Sequence, residues 1–148
     1  MVPGILGLQH AALRVHDIEA MASFYKEVLG MTELFRLSWD DGRLRLVYLR
    51  IAGNQFLELF PDADDTPHGG HHASGVNHLA LEVEDMDAVH AEIVRQGVEI
   101  LQPLKDGTDG NRQLWIADPE GNRIEFMQMR PGCMQYAAIA ALEQREAR

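Results

Sequence analysis

The 148-residue chain is short of cysteine, of positive charge and of long apolar runs: it has one Cys, and 13 basic side chains against 23 acidic ones. Alone, Cys133 can make no internal disulfide and has no second thiolate with which to hold a metal. A net charge of −10 repels phosphate surfaces, which argues against nucleic acid or anionic lipid as a partner. No apolar stretch approaches the length of a bilayer crossing, and Met1-Val2-Pro3-Gly4 lacks the basic start and cleavage pattern of a secretory leader. The expectation is a cytoplasmic protein with no membrane partner, and at 46% hydrophobic residues the chain can bury a substantial core.

What the chain does have is a repeat. His10-Ala11-Ala12-Leu13-Arg14-Val15-His16-Asp17 and His78-Leu79-Ala80-Leu81-Glu82-Val83-Glu84-Asp85 share His, Ala, Leu, Val and Asp at the same relative positions, 68 residues apart. A fixed-period repeat describes one structural unit built twice, with equivalent residues in equivalent places. Each copy continues with a segment of helical spacing that ends at glycine, Asp17 to Gly30 and Asp85 to Gly97. Each closes with Gly-Asn and an apolar run holding one glutamate, Glu58 or Glu125. The Gly-Asn pairs are 68 apart and the glutamates 67, which points to a one-residue length change at that turn or where the strand begins.

Alternating patterns and turn residues predict β-α-β-β-β in each copy. The first has strands at Leu8 to Val15, Met31 to Trp39, Arg43 to Ile51 and Gln55 to Phe60; the second has strands at Val76 to Val83, near Val98 to Gln102, Arg112 to Ala117 and Asn122 to Met129. Asp17 and Asp85 sit where helix N-caps belong. Four segments follow: a module over 1–61, a linker over 62–75, a module over 76–130 and a helical tail over 131–148, with Tyr136, Ile139, Ala140 and Glu143 expected on one side of the tail. Met21, Phe24, Tyr25 and Val28 read as core, His16 and His90 as surface residues, and Trp115 as packing between sheet and helix. His68, His71 and His72 read as a solvated segment that could serve as a lid rather than a metal site.

Two imidazoles and two carboxylates, one of each from either copy, carry the chemistry: His10, Glu58, His78 and Glu125. A carboxylate in an apolar strand, Glu58 between Phe56 and Phe60 on its face and Glu125 between Arg123 and Met127 on its own, is costly unless paired or bound to a cation. Such nitrogen and oxygen ligands suit zinc, nickel, cobalt, manganese or iron(II). Phe56, Phe60, Arg14, Arg123 and Met127 share a predicted face with these ligands, which makes them candidates for the substrate pocket.

The duplicated His-x-Ala-Leu-x-Val pattern, Phe24-Tyr25-Lys26-Glu27-Val28-Leu29-Gly30-Met31, Phe56-Leu57-Glu58-Leu59 and Asp118-Pro119-Glu120-Gly121-Asn122-Arg123-Ile124-Glu125 closely resemble the vicinal oxygen chelate superfamily, over roughly residues 7 to 129. The resemblance implies an α+β fold of two βαβββ modules, curled into a cup-shaped mixed sheet around one divalent metal. It also implies a homodimer, with the cup completed within a chain or by exchange between chains. The four-ligand set looks most like glyoxalase I, which implies proton transfer through a metal-bound enediolate on an α-hydroxycarbonyl or hemithioacetal. Glu125 matches the usual base, Glu58 is its symmetry mate, and Arg14 matches an arginine that helps bind glutathione. The substrate is expected to be a small carbonyl compound or thiol conjugate. Leu59-Phe60-Pro61-Asp62 departs from the Thr-x-Asn pattern usual in bacterial glyoxalase I, which leaves related epimerases, dioxygenases and non-catalytic binding proteins as alternatives.

Overall fold

A computed structural model describes residues 4–65 and 74–147. The chain divides into two compact units, Met1–His68 and Gly69–Arg148. The His68, His71 and His72 tract lies outside the described residues.

The first unit contains β1 (His10–Arg14), α1 (Ile18–Ser23), β2 (Thr32–Ser38), β3 (Leu44–Ala52) and β4 (Gln55–Phe60). Its four strands lie in the order β1-β4-β3-β2, with β1 parallel to β4 and the other pairs antiparallel. The second unit repeats the plan with β5 (Leu79–Glu82), α2 (Met86–Arg95), β6 (Ile100–Asp106), β7 (Arg112–Ala117) and β8 (Arg123–Gln128), in the order β5-β8-β7-β6. The α+β architecture of two βαβββ modules therefore follows the sequence pattern. α3 (Met134–Glu146) ends the chain. Among the described residues no helix is long and apolar enough to cross a membrane.

α1 and α2 each start on an aspartate. Asp17 Oδ1 accepts from the backbone N–H groups of Glu19 and Ala20, and Asp85 Oδ1 accepts from those of Asp87 and Ala88, each satisfying donors that a first turn leaves open. Each of these two helices covers one sheet face. In the first unit Met21 and Tyr25 are buried with Val47, Leu49, Leu57 and Leu59; in the second Met86 and Ile93 are buried, as are Leu114, Ile116, Ile124 and Phe126. Phe24 and Val28 are only half-buried. His16 is exposed, while His90 is half-buried on α2. Burying these side chains stabilises each unit by about 1.5–3 kcal/mol per large apolar residue.

The one-residue difference between the copies sits in the first helix, not in the Gly-Asn turn. Tyr25 and Ile93, both buried, keep the offset of 68, whereas Gly30 and Gly97, both at positive φ, are 67 apart. Between Tyr25 and Gly30 the chain widens into a π turn, Phe24–Val28, with Leu29 N–H donating to the Phe24 carbonyl at 3.4 Å. A π turn accommodates one extra residue without changing what lies on either side. The two Gly-Asn pairs are not equivalent. Gly53-Asn54 closes a two-residue turn between paired Ala52 and Gln55, whereas Gly121-Asn122 ends a longer turn between paired Ala117 and Arg123, held by Asp118.

The tail is helical, as expected, and buries none of its described residues: Tyr136 and Ile139 are 43% and 47% exposed. Its start is anchored by fully buried Asn111, whose amide donates to Asp109 and to Gln135 Oε1 at 2.9 Å each.

Candidate functional site

Register decides which side chains share a face. In the first sheet His10 pairs with Phe56, Ala12 with Glu58 and Arg14 with Phe60, while Tyr48 lies opposite Glu58 on the other side. Leu57 and Leu59 turn to the helix. The opposite face therefore carries His10, Arg14, Tyr48, Phe56, Glu58 and Phe60, and there His10 Nε2 stands 3.4 Å from Glu58 Oε2. The second sheet gives the same result. Ala80 and Trp115 flank Glu125 in register, Ala117 flanks Arg123, and His78 Nε2 stands 3.2 Å from Glu125 Oε2.

Both imidazoles are oriented by the residue before them. His78 Nδ1 is 2.9 Å from Asn77 Oδ1, and His10 Nδ1 is hydrogen-bonded to Gln9 Oε1. With Nδ1–H donated to the amide oxygen, Nε2 turns a lone pair toward a carboxylate oxygen. Two acceptors at 3.2 to 3.4 Å are reconciled by a shared proton or a shared cation. A second partner on the far ring nitrogen is what metal-ligating histidines ordinarily have. The nitrogen and oxygen donors of each His–Glu pair suit a divalent metal in their chemistry. Among the described residues no three of His, Cys, Asp and Glu gather as a metal cluster.

The two carboxylates differ in environment. Glu125 has a side chain 5% exposed against 16% for Glu58. Burial raises the Glu125 pKa above the usual carboxylate value, with the neighbouring His78 opposing the shift. Around Glu58 the neighbours are aromatic: Tyr48 stacks on Phe35 at 4.8 Å and touches Phe56 at 5.3 Å. Arg14 lies with its guanidinium 5.6 Å from the Phe60 ring centre and donates to the Pro61 carbonyl at 2.8 Å. Arg123 lies 4.6 Å over Trp115, and the Met127 sulfur accepts from Asn111 at 3.8 Å.

Trp115 does not pack between sheet and helix. It stands on the Glu125 face, its ring 4.7 Å from that of His78 at a steep angle. Three neighbours had no signal strong enough to single them out from sequence. Gln9 and Asn77 are recognisable only as polar residues preceding equivalent histidines, and Tyr48 only as the repeat equivalent of Trp115, 67 residues earlier.

Residues 7–126 match the model of the Glyoxalase/Bleomycin resistance protein/Dioxygenase superfamily. The chain belongs to this superfamily. Among proteins of the superfamily, it is 33% identical over 131 residues to a lactoylglutathione lyase of Neisseria meningitidis, covering 84% of this chain and 92% of that one. It is 29% identical to a 2-epi-5-epi-valiolone epimerase of Actinomyces, covering 88% and 84%. A solved glyoxalase family protein from Enterococcus faecalis superposes with a TM-score of 0.68 at 29% identity, covering 82% of this chain and 97% of that one.

Proposed function

We propose that this chain is a divalent-metal-dependent enzyme of glyoxalase I type, which moves a proton between adjacent carbons of an α-hydroxycarbonyl or hemithioacetal substrate. The observation that carries the reading is the matched pair, His10 with Glu58 and His78 with Glu125, each imidazole held at Nδ1 by an amide so that Nε2 and a carboxylate oxygen face a common point. His10, Glu58, His78 and Glu125 would together hold one ion of zinc, nickel, cobalt, manganese or iron. Bound there, the ion supplies the positive charge that acidifies a C–H beside the carbonyl.

The residues of the chain do the rest. Glu125 is the base: its carboxylate takes the proton from one carbon and returns it to the next, and its burial keeps that proton from bulk water between the two transfers. Glu58, more open and beside Tyr48 and Phe56, is the ligand on the less shielded side. Arg14 and Phe60 form one substrate wall, with Phe56 continuing it; Arg123 and Met127 border Glu125 on its own strand.

A second reading, an epimerase, is favoured by the valiolone epimerase relative, and it uses the same base with a different carbon skeleton. The test is turnover of methylglyoxal by the metal-loaded protein with and without glutathione. Glutathione-dependent formation of the lactoyl thioester supports the lyase. No turnover, together with solvent deuterium entering a 2-hydroxyketone, moves the assignment to the epimerase class. Neither turnover nor exchange with any of the five metals overturns both.

A further inference from the structure

Unlike α1 and α2, α3 has no counterpart in the other module, and it gives none of its described residues to a core. What it sets against the second sheet is one amide. Gln135, in its first turn, accepts from Asn111 Nδ2 at 2.9 Å and donates from Nε2 to Asp109 Oδ2 at 2.8 Å, while the Met134 N–H donates to the Asp109 carbonyl at 2.9 Å. A helix that packs no apolar face is thus tied down at one place.

That place adjoins the Glu125 face. Asn111 is fully buried, which is costly for an amide unless each of its groups is met. Its two Nδ2 hydrogens go to Asp109 and Gln135, and its Oδ1 accepts from the Arg130 N–H at 3.3 Å. The Met127 sulfur, 3.8 Å from the same nitrogen, packs against it as a third and weakest acceptor. Met127 pairs with Gln113 and stands in file on β8 with Arg123 and Glu125. The turn before Asn111 presses on the same face: a Cβ at Gly107 would lie 2.6 Å from Asp109 Oδ1 and 2.8 Å from Gln113 Nε2. Met127 therefore ends the file, backed by Asn111 and, through it, by α3.

The first module has no such backing. Leu44 stands 67 residues before Asn111, and Phe60, 67 before Met127, is flanked by the Arg14 guanidinium instead. A βαβββ module folds without the buried amide, so the amide serves something other than the sheet.

We infer that Met127 is the specificity-determining end wall of the Glu125 face, with Asn111 and Gln135 as the positioning residues that hold it, and that the substrate carries a short, uncharged apolar substituent on that side. The inference rests on the proposed reading of the His78–Glu125 face as the reaction site and adds to it the size and polarity of the substituent. A thioether offers bulk and no strong hydrogen bond, and the amides behind it are spent on one another and on Asp109. A longer chain would have to displace a side chain whose support is fixed.

The chain has seven methionines, so carbon-13 labelling of their methyl groups gives seven signals, and Met127→Leu identifies that of Met127 by its loss. Hydroxyacetone and its longer homologue 1-hydroxy-2-hexanone are titrated into the metal-free and the zinc-loaded protein. Hydroxyacetone is expected to move the Met127 signal and to bind about tenfold more tightly than the hexanone, the reverse of the order that apolar area alone would give. Met127→Gly should bring that ratio to one or invert it. Gln135→Ala, which leaves Met127 itself in place, should reduce the ratio to about threefold while hydroxyacetone binds as before. A purely structural role would weaken both ligands alike. A Met127 signal that stays still, a ratio unchanged in Met127→Gly, equal losses for both ligands in Gln135→Ala, or no binding of either ligand in either form overturns the inference, even if methylglyoxal is turned over. The length preference and the methyl shift in a protein that takes up no zinc leave the inference standing and remove the metal reading instead.

Discussion

The two modules place the same residues at the same register and surround them differently. Both put a histidine at or immediately before the first strand, a glutamate on the last and an aromatic opposite that glutamate on the strand between. Around Glu58 the surroundings are aromatic and half-open; around Glu125 they are buried, with an indole donor and a guanidinium alongside. Duplication kept a His–Glu pair in each half, as the proposed shared cation would require. The environments differ in the way that a proposed base, Glu125, and a proposed plain ligand, Glu58, would need.

The sharpest way to break the comparison is to remove each carboxylate in turn. Glu125→Gln should lower turnover by about 100- to 10,000-fold, the usual worth of a general base, and Glu58→Gln by at least about tenfold less. Steady-state rates, with solvent deuterium incorporation to follow the proton, measure both. Equal losses would show that the two environments make no functional difference.

The helices offer a second contrast. Deleting Glu27, an exposed residue of the π turn, converts that turn to ordinary α-helix and brings the first copy to the length of the second, so the fold should survive it. Deleting the exposed Ala91 from α2 has no such outlet. It turns Ile93, 2% exposed, away from the core and should cost about 2–5 kcal/mol, read by denaturant unfolding.

A smaller effect separates the modules by pH. Glu33 of the first accepts from Lys26 Nζ at 2.9 Å and Arg36 Nε at 2.7 Å, and Arg36 foremost, then Lys26, lower its pKa to about 2. A carboxylate whose pKa is depressed on folding stabilises the protein above its ordinary value of 4.5, and that contribution is lost as pH falls toward about 2. Glu33→Gln should therefore lower stability by about 1 kcal/mol at pH 7, and the gap should close across that acid window in thermal unfolding.

Much of this is readable in the sequence. The repeat placed the four ligand candidates, the aspartates announced both helix starts, and β4 and β7 have the bounds that alternation and turns predict. Two things were not readable, for physical reasons. β7 is buried on both faces from Leu114 through Ile116, so no alternation betrays which way Trp115 points; only its pairing with Glu125 does. The length change was masked by identical Gly-Asn pairs in turns of different construction, while the true site was a helix whose apolar spacing continues almost undisturbed through the π turn.

The central claim is that the two His–Glu pairs serve one cation, and elemental analysis of the protein after nickel or zinc loading tests it most directly. The account predicts one ion per chain, whether its ligands come from one chain or two, and loss of that ion from His10→Ala and from His78→Ala alike. Two ions per chain, or an ion retained when either histidine is removed, would contradict it.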